Sequence, residues 1–207
     1  TPLYSSAASD VYKRQVLEAL LKADLPETSV VVVADQESTD LAEKIGVGGE
    51  GLFHIGGFGK PGEFNQRIPV KATVLKLNPE PFAHLGPAQK GFISNPGMRA
   101  LLKSGNVYII LCRRVCISHD RNMLLTMGLD PTKMDIISMR ATHSFMSTYA
   151  GVYGSWIYVD TPGFSARSMK DLPFRRCGRP IYPLDDIHEL HIIDALDGTV
   201  PPERASA

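Results

Sequence analysis

The residues most able to do chemistry are the six histidines, and their spacing decides what they could hold. They are His54, His84, His119, His143, His188 and His191. Gripping zinc from one helix face takes a pair at i and i+4, as in H-E-x-x-H. His188-Glu189-Leu190-His191 offers i and i+3 instead, in a charged C-terminal tail, which reads as a solvated element. His119, with Asp120 beside it, and His143 are far apart in sequence and converge only if the fold brings them together. A histidine placed this way is more often structural than a ligand. No G-x-S-x-G elbow is present, and no Cys–His pair follows from spacing. These residues alone therefore give no catalytic residue and no metal ligand.

Two motifs look like phosphate binders. Gly46, Gly48 and Gly51 satisfy G-x-G-x-x-G, but the dinucleotide version needs a strand before it and a helix after it. Here a helical pattern comes first and Leu52 to Ile55 looks strand-like, so the glycines read as a helix-to-strand connection. Val159-Asp160-Thr161-Pro162-Gly163 resembles a GTPase switch motif. That chemistry needs a phosphate loop ending in Lys-Ser or Lys-Thr, and Gly59-Lys60-Pro61 has proline where the hydroxyl should be. Asp160 is either a ligand at a strand end or, more often, an acceptor for turn amides. Arg175, Arg176 and Arg179 form a small basic run suited to carboxylates or to a solvated edge. Arg113 and Arg114 fall inside a predicted strand, so alternation sends them to opposite faces.

The elements that must position these groups follow from periodicity. The helix pattern starts at Val16 and runs to Ala23. Ser29 to Asp35 (SVVVVAD) is a β-branched run like a strand buried on both faces. Gln36 to Ile45 is a helix closed by Gly46, and Gly46 to Gly62 is loop and turn. Arg67 to Leu77 alternates as a strand, and Asn78 to Pro87 is irregular. Met98 to Leu102 and Val107 to Ile117 pair through a turn at Ser104-Gly105-Asn106. Asp120 to Met127 is a short helix and Asp135 to Met139 a strand. Thr142 caps a helix running to about Val152, and Ser155 to Asp160 is a last strand before an extended Pro/Gly-rich tail. The fold class is α/β: a mixed sheet with flanking helices and a β-rich insert.

Composition narrows the function classes. Lys plus Arg equals Asp plus Glu at 22 each, so there is no electrostatic footprint for nucleic acid or an anionic membrane. The longest apolar runs are too short to span a bilayer. Three cysteines exclude a full disulfide framework. Cys112 and Cys116, on one predicted strand, would stand about 13 Å apart, and the thiols read as reduced in a cytoplasmic protein. Thr1 to Gln15 (TPLYSSAASDVYKRQ) shows no periodicity and is similar to tracts at the ends of translated metagenomic contigs, an assembly artefact. The expected division is residues 1–15 as a non-native or disordered leader, 16–185 as one domain and 186–207 as a tail.

Read in order, VLEALLKADL, GVGGEGLFHIGG, GNVYIILCRRV, GLDPTKMDIISMRATHSFMSTYA, VDTPG and LPFRRCGRPIYPLD resemble the C-terminal domain of the MlrC metallopeptidase family. The resemblance implies the substrate-side lobe of a zinc-dependent amide hydrolase, with Asp and His ligands in an upstream metal-binding domain. No zinc ligand carries onto this sequence, and a fragment of this kind is expected to be inactive alone. A peptide-like small molecule is the implied substrate, and a homo-oligomer is among the expected assemblies. Arg114, His119, Asp120, Arg140 and His143 are the expected substrate-facing residues, near strand ends and a helix N-terminus. Arg140 stands where the family often has Lys, and CISHD replaces a more usual Gln-rich form. The alternative is a free-standing, non-catalytic binding or regulatory module.

Overall fold

Valine is stiff at χ1 and packs well on a pleated surface, so Ser29–Ala34 forms a strand, β1, with every residue buried. Its side chains divide by alternation: Val31 and Val33 join one core cluster, Val30 and Val32 the other. A strand buried on both faces needs a layer on each side. In this computed structural model those layers are present. It describes residues 4–56, 66–141, 143–159, 176–182 and 184–186, with side chains inside the first helix described from Arg14 onward.

Helix α1 spans Tyr4–Ala23 and α2 spans Gln36–Ile45. Leu17 of α1 and Ala42 of α2 are fully buried in the first core, against Val31, Val33, Ile109 and Leu111. The strands that follow are β2 (Glu50–Ile55), β3 (Ile68–Asn78), β4 (Phe82–Ala83), β5 (Ile93–Ser94), β6 (Arg99–Ser104) and β7 (Val107–Cys112). Short helix α3 (Asn122–Leu125), strand β8 (Ile136–Ser138) and short helix α4 (Ser144–Thr148) complete the order. Met123 and Leu124 of α3, with Met127, Leu129 and Phe82, close the second core over Val30, Val32 and Ile110.

The main sheet has six strands in the order β2-β3-β6-β7-β1-β8. Its first four strands are antiparallel neighbours, while β1 lies parallel to both β7 and β8. The α/β class, mixed sheet and flanking helices read from the sequence are all found. β4 and β5 form a separate two-stranded hairpin. Among the described residues no helix is long and apolar enough to cross a membrane.

Several expectations are corrected. Helix α1 begins at Tyr4, well before Val16, because Ser and Ala are tolerated in a helix and carry no apolar stripe to announce it. The glycine stretch contains β2, since Val70 and Ile68 of β3 offer Phe53 and Ile55 a partner strand. β7 stops at Cys112, so Cys112 and Cys116 do not share a strand and Arg113-Arg114 lie beyond it. Residues 155–159 are not a strand. α4 is shorter than expected, and His143 occupies its N-cap position without a side-chain cap. Thr142, Asp160, Lys60, Arg175, His188 and His191 lie outside the described residues.

The chain divides into two units, 1–165 and 166–207. In the second, the Arg179 guanidinium pairs with Asp185, whose carboxylate also accepts from the Ile181 amide at 2.7 Å. The Arg179 hydrogen bond, aided by that amide, holds the Asp185 carboxyl at about 2.

Candidate functional site

In an open α/β sheet, ligands collect where parallel strands end at their carboxyl side. Here β1, β7 and β8 run parallel side by side, so their exits at Asp35, Arg113 and Met139 lie at one end of the sheet. The loop after β7 carries Arg114, His119 and Asp120. The loop after β8 carries Arg140 and His143. All five expected residues thus leave the same end.

They differ in exposure. Arg114 is exposed and donates from Nη2 to Asn95 Oδ1 at 2.8 Å. Arg113 turns the other way, to Asp40 at 2.8 Å and Glu43 at 2.5 Å on α2. Both residues lie beyond the end of β7, so strand alternation does not govern them, and they take different partners. Arg140 and His143 are exposed, and His119 is half-buried.

Asp120 is 2% exposed, and its carboxylate accepts the backbone amides of Leu85 (3.0 Å), Gly86 (2.8 Å) and Asn122 (2.8 Å). A charged group this deep survives only when hydrogen-bonded, and these amides supply the bonds. Around it sits a polar cluster that sequence reasoning missed. His84 is buried, stacked on Phe82 and edge-on to Phe92. Its Nε2 meets Ser94 Oγ at 2.7 Å, while its Nδ1, without a hydrogen-bond partner, lies 3.8 Å from Asp120 Oδ2. Tyr149 is 1% exposed with an unpartnered hydroxyl, and burial, reinforced by the Asp120 charge, pushes its ionisation upward. Burial, with His84 adding to it, holds the His119 imidazole below its ordinary 6.5, while Asp120 pulls the other way.

The order Ser94–His84–Asp120 has the residue types of a nucleophilic relay, but not its geometry. The His–Asp gap exceeds hydrogen-bond reach, the carboxylate is already taken by amides, and Ser94 is 5% exposed. Nothing in the sequence could have found this cluster, because His84 and Ser94 are joined to Asp120 only through the hairpin. Arg99, also missed, is fully buried: Nη1 donates to Thr126 Oγ1 at 2.6 Å, Nη2 to the Glu80 carbonyl at 2.8 Å, and the guanidinium stacks on Phe82.

Among the described residues, no three His, Cys, Asp or Glu side chains gather where they could hold a metal ion. The donors here do not suit one: Asp120 is saturated by amides and His84 is sealed between aromatic rings. What these residues offer is hydrogen bonding, charge and a half-buried imidazole.

The chain matches the MlrC C-terminus family model over residues 7–176 and belongs to that family. A crystal structure from Mesorhizobium sp. BNC1, provisionally assigned as a metallopeptidase, superposes with a TM-score of 0.69 at 23% identity. That likeness covers 85% of this chain and 35% of the other, so this chain spans about a third of its neighbour's length. No curated protein matches the chain.

Proposed function

We propose that this chain is the C-terminal, substrate-side lobe of a zinc-dependent amide or peptide hydrolase. In this reading the metal ligands belong to polypeptide outside the chain, in a separate metal-binding domain that is its partner. The substrate is a peptide-like small molecule, and the enzyme works in the cytoplasm. The observation that carries the proposal is the family match over residues 7–176. Further support comes from the five polar residues on loops at one sheet end, since ligands favour clefts between domains. Zinc in the partner domain would polarise the scissile carbonyl and activate water. This lobe would orient the substrate through Arg114, Arg140, His119 and His143.

Two measurements test it. The purified chain, equilibrated with zinc and dialysed, is expected to retain far less than one equivalent; stoichiometric zinc would mean the ligands are here. In an intact member of the family, alanine at the positions of His119, Arg140 or His143 is expected to lower kcat/KM about 10-fold or more. Unchanged values at all three would sink the substrate-side assignment.

A further inference from the structure

Two ties fasten the loop after β7 to the β4–β5 hairpin. One is the Asp120 carboxylate, which accepts the Leu85 and Gly86 amides. The other is Asn122, whose Nδ2 donates to the Ala83 carbonyl at 2.6 Å. Asn122 is itself oriented through its own amide on Asp120 Oδ1. Gly86 must be glycine for the first tie to close, because a Cβ there would collide with Thr148 Oγ1 and crowd Asp120 Oδ2 at 3.1 Å. Helix α4, reached from the loop that carries Arg140 and His143, thus packs against the same point.

We propose that Asp120 is a positioning residue: it clasps the β7 loop to the hairpin and to α4, and so sets where the neighbouring His119 imidazole meets substrate. The substrate role of His119 rests on the function proposed above; the clasp does not. Asp120, 2% exposed, cannot itself touch a substrate, whereas His119 is half-buried at the surface of the same loop. A carboxylate buried under backbone amides from two distant segments holds their relative placement better than any single side-chain contact. The titratable groups acting on His119 are His84 of the hairpin and Asp120.

The test is the titration of His119 followed by NMR in the 207-residue chain, wild type against D120N and N122A. Burial is the largest cause of the low His119 value. Releasing the clasp should therefore move the midpoint up toward 6.5, further in D120N than in N122A. Loss of the Asp120 charge without loop movement would move it down instead. A merely structural role would lower the denaturation midpoint and move the His119 titration only through the lost charge, downward in D120N and not at all in N122A. An unchanged or lowered midpoint overturns the proposal. Should D120N fail to fold, N122A, which keeps every charge, decides it by the same criterion. The substrate reading fails separately, through unchanged kcat/KM for alanine at the His119 position in an intact relative.

Discussion

Arg67 Nη2 lies 2.9 Å from one carboxylate oxygen of Asp35 and 3.1 Å from the other, so one guanidinium nitrogen bridges the acid. The same carboxylate accepts from the Ser38 amide at 2.9 Å, capping α2, and from the Gly56 amide at 2.9 Å. Asp35 is 4% exposed and stands where β1 hands the chain to α2. Replacing it with alanine removes a cap and strips Arg67 of its buried partner, leaving it Glu37 and the Gly56 carbonyl, an expected loss of about 2–3 kcal/mol by urea denaturation. R67A should cost clearly less, because Asp35 keeps both amides. Equal costs would contradict this division.

Arg99 has no carboxylate partner among the described residues; its hydrogen bonds go to Thr126, the Glu80 carbonyl and Met123. Lysine cannot reproduce the fork or the stacking on Phe82. R99K is expected to lose about 2 kcal/mol while keeping the wild-type far-UV spectrum. A variant as stable as wild type would show that the planar group is dispensable.

His119 sets a pH dependence. Its folded-state value is depressed, so below about 6.5 the unfolded chain takes the proton more readily and stability falls with falling pH. The loss begins near the unfolded value and is complete below the lower, folded one. Urea midpoints at pH 7.5 and 5.5 should therefore differ in wild type and differ less in H119Q. Identical differences in the two proteins would remove His119 from the account.

Gly48 has φ of +87° with open space around it, while Gly51 has an ordinary φ but a Cβ there would strike Ile45 Cδ1. G48A should cost about 1 kcal/mol through backbone strain alone. G51A should instead respond to trimming the neighbour: I45V is expected to recover part of its loss and none of the loss in G48A. Recovery in both would show that strain at Gly48 is not the cause.

How much of this was legible beforehand follows from how local each signal is. The valines of β1, the Gln36–Ile45 helix closed by Gly46 and the turn at Gly105-Asn106 announce themselves within ten residues, and all are found. Helix α1 before Val16 was unreadable because Ser and Ala give no stripe. β2 was legible only from Leu52 to Ile55; its start at Glu50 was not, because its pairing with β3 depends on a partner beyond the glycines. At the site, the exits of β7 and β8 could be read from strand ends. The sealing of Asp120 could not, because the Leu85 and Gly86 amides lie 35 and 34 residues away.

The position of β1 carries a last consequence. It is synthesised before β7 and β8, yet in the finished sheet it is wedged between them. The β2-β3-β6-β7 meander can zip up from near neighbours, but the valines must wait for both flanking strands to leave the ribosome. Until then the chain displays a sticky, uncharged hexapeptide with two unsatisfied edges. Newly made molecules are most vulnerable to clumping in that interval, and a chaperone holding SVVVVA would raise the yield of folded protein.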